Sequence, residues 1–322
     1  MNLPKISDLD IAGKRVLLRL DLDVGVDTSR IESAKGTLNF LVENSAKIII
    51  IGHKGRPNEG QDESLSLKGL TPVLSKLIAK EVIFEGEGQV VLKENLRFDP
   101  GEEGNDENFA RALASLADVY VNEAFAASHR THASIVGVPK FLPHFAGFRF
   151  LGEVENLSKV RENPRRPLVV LISGIKEDKV KMAKELTNIA DKVLVGGKLP
   201  KYFGDTKVDP EKMMIADLTL DSFDITLNSI ARFKKEIEKA GTIVLAGVLG
   251  KYEEEGHRQG TKEVFAAVAK TPAFKVAGGG DTEAALTILG LTDKFDWISV
   301  GGGAMLEFLS KGTLPGIGAL LN

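Results

Sequence analysis

Arginine at the end of a strand is well suited to holding an anion, because its planar fork matches phosphate and carboxylate in a bidentate way. Eight of the thirteen arginines fall in the first 150 residues. Arg19 and Arg30 flank the first predicted strand-to-helix turn, Arg56 sits in GHKGRP, Arg97 in ENLRF and Arg130 in SHRTHAS. One such arginine is ordinarily a solvated surface charge; the joint placement after successive strands is what points to anion capture. His53, His129 and His132 lie among these arginines. The His129-x-x-His132 pair has no third ligand nearby and the chain has no cysteine, so donation to an anion is favoured over a zinc site. The second half of the chain carries a different chemistry. Gly278-Gly279-Gly280-Asp281-Thr282 and Gly301-Gly302-Gly303-Ala304 each follow a predicted strand and open a predicted helix. Glycine lets the backbone approach a ligand, and the helix start offers free N–H groups to a phosphate. Asp281 could hold a Mg²⁺ there, and Thr282 could cap the helix or meet an oxygen. The alternative is that these glycines only make tight turns.

Other chemistries are excluded by what is missing. There is no GxxxxGK[ST] phosphate loop and no GxGxxG after a strand. With 42 Lys+Arg against 45 Asp+Glu, the net charge of −3 argues against a coat for nucleic acid or a membrane surface. The start, MNLPKISDLDIAGKR, has no apolar secretory core, and runs such as Ile48–Ile51 are far too short to cross a bilayer. A soluble cytoplasmic protein is the expectation.

Elements that could position these residues follow from the apolar pattern. The 322 residues suggest two domains at roughly 150 residues each. Ten short apolar runs read as strands: 15–22, 47–52, 90–93, 119–122, 168–173, 192–196, 213–216, 242–247, 274–277 and 297–300. The runs KIIII and VVLIS are apolar throughout, as expected of strands covered on both faces. Between them lie helix-periodic stretches at 30–43, 66–80, 106–117, 178–190, 226–239, 261–270, 282–289 and 305–310. Strand–helix alternation twice over predicts an α/β protein of two Rossmann-like parallel-sheet domains, joined by a hinge helix at 151–161 and a linker around Asn163-Pro164-Arg165-Arg166-Pro167.

In this order the motifs resemble one family, the phosphoglycerate kinases. RLDLDV (19–24), TSRI (28–31), GHKGRP (52–57), ENLRFDPGEE (94–103), DVYVNEAFAASHRTHAS (118–134), AGGGDTEAA (277–285) and VGGGAMLEFL…LPGI (300–317) run in register through nearly the whole chain. The resemblance implies reversible phosphoryl transfer between 1,3-bisphosphoglycerate and ADP, giving 3-phosphoglycerate and ATP, by a monomer that binds only these small molecules. It implies a 3-phosphoglycerate site of Asp21, Asp23, Arg30, His53, Arg56, Arg97 and Arg130 on a first domain, 1–150, completed by 311–322. It implies a nucleotide site of Lys179, Gly196, Gly250, Glu253, Gly279, Gly280, Asp281 and Thr282 on a second domain, 167–310, after a connecting segment 151–166. Arg30 and Lys179 would be catalytic, and Asp281 would meet the Mg²⁺ that accompanies ATP or ADP. Since the ligands would sit on separate domains, hinge closure is implied.

Departures from the family fall mostly on the nucleotide side. The chain is short between Gly197 and Thr242, Ala246–Gly250 lacks the usual Asn and Pro, and Val300 replaces a Thr. The loop SGIKEDKV (173–180) is one residue short, which leaves the register of Lys176 against Lys179 open. On the substrate side Asp23 stands for Asn, Gly25 for Pro, Glu123 for Asp and Ala126 for Gly. These changes keep open a degenerate relative that binds ligand without turnover.

Overall fold

The computed structural model describes residues 1–25, 28–44, 47–57, 62–175, 177–204 and 206–322. Among the described residues, twelve strands form two six-stranded sheets, each parallel throughout. The chain divides into two compact units, Met1–Glu155 with Thr313–Asn322, and Asn156–Gly312. The division falls inside the helix Phe148–Glu162.

In the first unit the strands are β1 (Arg15–Arg19), β2 (Lys47–Ile51), β3 (Ile83–Phe84), β4 (Val90–Leu92), β5 (Val119–Asn122) and β6 (His144–Ala146), in the order β3-β4-β2-β1-β5-β6. β1 is central: Arg19 pairs with Ile51 on one side and Asn122 on the other. Its residues Val16, Leu17 and Leu18 are all buried, because helices cover both faces of a parallel sheet. The strand is shorter than the apolar pattern implied. After Leu20 donates to Ile51, the chain leaves the sheet, and Asp21 and Asp23 form the edge loop. The expected helix at 30–43 is two, Ser29–Ser33 and Lys35–Glu43, broken at Ala34.

In the second unit the strands are β7 (Leu168–Gly174), β8 (Lys192–Gly197), β9 (Met213–Ile215), β10 (Thr242–Ala246), β11 (Phe274–Gly278) and β12 (Trp297–Ser299), in the order β12-β11-β10-β7-β8-β9. Its core joins Val169, Leu171, Leu194, Ile243 and Leu245 from the strands to Phe233, Val264 and Phe265 from the helices. Each sheet reverses its winding once, between β1 and β5 in the first and between β7 and β10 in the second. In open parallel sheets, ligands bind outside the carboxyl ends of the strands at such a reversal.

Candidate functional site

At the carboxyl edge of the first sheet, Arg19 is wholly buried and fully engaged. Its Nε donates to Ser134 Oγ (3.0 Å), its Nη1 to the Leu20 carbonyl, and its Nη2 to His53 Nδ1 (2.8 Å). Around it stand most of the anion-binding candidates. Arg30, in the first helix after β1, reaches the Asp23 carbonyl (3.2 Å) and pairs with the Asp21 carboxylate (3.6 Å). Asp23 Oδ1 accepts from the Gly55 amide (2.8 Å), and Arg97 Nη1 donates to the Gly55 carbonyl (2.7 Å). Arg97 also pairs with Glu103 at 2.9 Å through Nε, an electrostatic contact without hydrogen-bond geometry. Asp23 and Arg97 thus hold the same residue, which carries the GHKGRP loop. Arg56 and Arg130 are exposed beside this cluster.

Charge and burial set the protonation states. Burial, together with Arg19 and Arg97, pushes the His53 imidazole far below its usual value, so it is neutral. Burial, then Arg97, Arg19 and Arg130, lowers His132 to about 4. Burial raises the Asp21 carboxyl, opposed by Arg30 and Arg19. Burial also lowers Arg97, although Glu103 pulls the other way. This edge holds a neutral histidine among several guanidinium groups, an arrangement that attracts an anion and places a neutral donor within it.

Two buried carboxylates of this unit escaped the sequence reading as organisers. Glu102 is wholly buried; its Oε2 accepts from the Ser134 amide (2.9 Å) and its Oε1 from the Ser134 hydroxyl (2.6 Å). It lies in the quoted ENLRFDPGEE motif, but nothing in its spacing distinguishes it from its exposed neighbour Glu103. Glu123, just past β5, accepts from Thr37 Oγ1 (2.5 Å) and from the Arg149 and Phe150 amides (3.1 and 3.0 Å). It therefore satisfies two of the free N–H groups at the start of the helix Phe148–Glu162, and Thr37 Oγ1 accepts from a third, that of Phe148.

The second sheet's carboxyl edge is built mainly from backbone. Lys179 Nζ donates to the Ser173 carbonyl at the end of β7 (2.7 Å); Lys176 lies outside the described residues. Gly279, at φ +106°, precedes the helix Gly280–Ile288, and among the described residues no side chain caps that helix. Asp281 is exposed in its first turn. Thr282 is wholly buried instead, and its Oγ1 accepts from the Gly247 amide (2.8 Å), tying the turn after β10 to the turn after β11. The two glycine triplets touch: a Cβ on Gly302 would stand 2.7 Å from Gly279 Cα. Gly196 packs against Leu249, and a Cβ on Gly250 would collide with Asp224 and the His257 carbonyl. Glu253 is exposed on the segment after β10, and its carbonyl accepts from Arg258 Nη2 (3.0 Å). That segment is pinned to the loop ahead of the helix Leu227–Ile237. The Lys251 amide donates to the Phe223 carbonyl, and the Asp224 carboxylate accepts from Gly260. Among the described residues, no group of three His, Asp or Glu could hold a metal by itself.

A sequence profile of the phosphoglycerate kinase family matches residues 6–209 and 204–312. This chain belongs to the phosphoglycerate kinase family. A phosphoglycerate kinase of Coprothermobacter proteolyticus is 35% identical over 390 aligned positions, spanning 100% of this chain and 99% of the relative. That of Fervidobacterium nodosum is also 35% identical, covering 98% of this chain and 97% of the relative. Among solved structures, the phosphoglycerate kinase of Coxiella burnetii superposes with a TM-score of 0.84 at 32% identity, covering 99% of each chain. That of Pyrococcus horikoshii gives 0.85 at 25% identity, covering 99% and 98%. Alignment over 390 positions against 322 residues means that the relative carries positions this chain lacks. The two profile segments meet at 204–209, so the family match is interrupted between β8 and β9.

Proposed function

We propose that the chain catalyses reversible phosphoryl transfer between 1,3-bisphosphoglycerate and ADP, giving 3-phosphoglycerate and ATP. The observation that carries this reading is the guanidinium cluster around Arg19, Arg30, His53 and Arg97 at the winding reversal of the first sheet, in a chain whose whole length matches phosphoglycerate kinases. We assign 3-phosphoglycerate to that edge, with Asp21, Asp23, Arg30, His53, Arg56, Arg97 and Arg130 around it. The nucleotide is assigned to the edge carrying Lys179, Gly196, Gly250, Glu253, Gly279, Gly280, Asp281 and Thr282. Thr282 would shape that edge, since its hydroxyl already serves Gly247.

The acceptor is a carboxylate with a free pKa of roughly 3.5, ionised at neutral pH, so no general base is required. The barrier is the approach of like charges, and the protein lowers it by position and field. Arg30 would meet the transferring phosphoryl group, and Lys179, held at the end of β7, would face the phosphate chain. A magnesium ion would arrive with the nucleotide and neutralise phosphate charge; one exposed carboxylate, Asp281, at an uncapped helix start suits an ion held mainly by phosphate oxygens. Ligands on separate units must still meet in line, and the helix Phe148–Glu162, which both units share, would be the hinge.

A coupled assay with ADP and 1,3-bisphosphoglycerate, run beside calorimetric titration of 3-phosphoglycerate and ADP, tests the reading. Turnover together with two independent saturable sites is expected. Binding without turnover at high protein concentration would overturn it in favour of a ligand-binding relative.

A further inference from the structure

The buried groups behind His53 form a hydrogen-bonded chain, Glu102–Ser134–Arg19–His53. Glu102 lies at its inner end, enclosed in protein; Ser134 donates to both of its oxygens, and His132 Nδ1 stands 3.7 Å from Oε1. A serine hydroxyl has one hydrogen. Here it goes to Glu102 Oε1 at 2.6 Å, so Ser134 Oγ can only accept from Arg19 Nε at 3.0 Å. A guanidinium has no acceptor. The 2.8 Å contact between Arg19 Nη2 and His53 Nδ1 therefore requires a lone pair on Nδ1. In a neutral imidazole the proton then sits on Nε2, which donates to no described residue. Ser134 is itself fixed by a turn of π-helix, Ala133–Gly137, and by the Tyr120 hydroxyl donating to its carbonyl (2.7 Å).

We propose that Glu102, Ser134 and Arg19 are positioning residues that lock His53 as the neutral Nε2–H tautomer, so that it presents one hydrogen-bond donor to an anionic oxygen of the acceptor substrate. The inference rests on the assignment of 3-phosphoglycerate to this edge and adds the reason for the three buried polar groups behind His53. An Nδ1–H tautomer would turn a lone pair toward the anion and leave an Arg19 N–H facing another N–H. Arg19 and Glu102 also offset each other's charge through Ser134, which makes burial of both tolerable.

Long-range ¹H–¹⁵N correlation spectra of the full chain labelled at histidine read the tautomer directly. The wild type should show His53 with an unprotonated Nδ1 and a protonated Nε2 from about pH 5.5 to 8. Ser134→Ala should give a mixture of tautomers and raise the KM for 3-phosphoglycerate about tenfold, with a smaller change in the KM for nucleotide. Ser134→Thr, which restores the hydroxyl, should recover the wild-type spectrum and KM. A protonated Nδ1 or an imidazolium in the wild type overturns the proposal whether or not any variant folds. So does a Ser134→Ala enzyme with an unchanged tautomer and KM. A wild type that shows the locked tautomer but no turnover would instead sink the functional reading.

Discussion

Arg30 is partly exposed, and among the described residues its guanidinium reaches the Asp21 carboxylate and the Asp23 carbonyl. In the proposed role it meets charge that develops during transfer, where an arginine is worth about 10³–10⁵ in rate. Arg30→Ala should lower kcat by about 10³ or more and leave the dissociation constant for ADP within about twofold, measured by coupled assay and calorimetry. An unchanged kcat would remove Arg30 from the mechanism. Glu123 bears on stability instead. Burial pushes its carboxyl from 4.5 up to about 7, against the hydrogen bonds from Thr37, Phe150 and Arg149. Between those values the native state binds more protons than the unfolded chain, so the Glu123 contribution falls as pH rises through the window. His53 and His132 act in the opposite sense, because burial among arginines lowers them and their contribution is lost as pH falls below 6.5. The difference between wild type and variant isolates the carboxyl. In urea titrations, Glu123→Gln should gain about 2–3 kcal/mol on the wild type between about pH 5 and about pH 7.5. Parallel curves for the two proteins would mean that Glu123 is already ionised throughout that range.

Element by element, the turns that close each strand decide where chemistry can sit. The two glycine triplets read from sequence as phosphate-facing turns or as tight turns only, and their geometry shows a packing demand that either reading leaves out. They lie backbone against backbone, so that a side chain on Gly302 must displace Gly279, which sits at φ +106°. Gly302→Ala should therefore cost about 1–3 kcal/mol in the second unit, seen as a lower unfolding temperature followed by the fluorescence of Trp297, the chain's one tryptophan. A shift below about 0.5 kcal/mol would mean the turns can part freely. The strands with long apolar runs, KIIII and VVLIS, were legible because burial on both faces writes itself into composition. β3 and β6 were not. They are two and three residues long at or near the sheet edge, and β6 has no β-branched residue and follows Pro143, so no run announces them. The arginines of the first edge were legible by type and place. Glu102 and Ser134 were not, because a buried carboxylate and a surface one look alike until the fold supplies its partners.

At the scale of the whole chain, the first unit is closed by residues that come last. The helix Pro315–Leu321 follows 157 residues of the second unit and packs back on the first. Leu314, Ile317 and Leu320 are buried, and the Gly316 amide donates to the Ser128 carbonyl (2.9 Å). Only glycine fits at 316, since a Cβ there would stand 2.7 Å from the Ser128 side chain. Ser128 Oγ in turn accepts from Asn122 at the end of β5 (3.1 Å), beside the proposed substrate edge. Burying three aliphatic side chains at about 1.5–3 kcal/mol each makes this short helix worth a large part of a domain's usual 5–15 kcal/mol. Deletion of residues 313–322 should therefore unfold or strongly loosen the first unit while the second, which precedes the deleted segment in sequence, keeps its fold. Hydrogen exchange resolved by peptide separates the two. Protection should collapse across β1, β2 and β5 and persist across β7, β8 and β10, and calorimetric binding of 3-phosphoglycerate should vanish while that of ADP survives. Loss of protection in both units together would show that they fold as one cooperative body, and retained protection in β1 and β5 would reduce the terminal helix to a surface attachment.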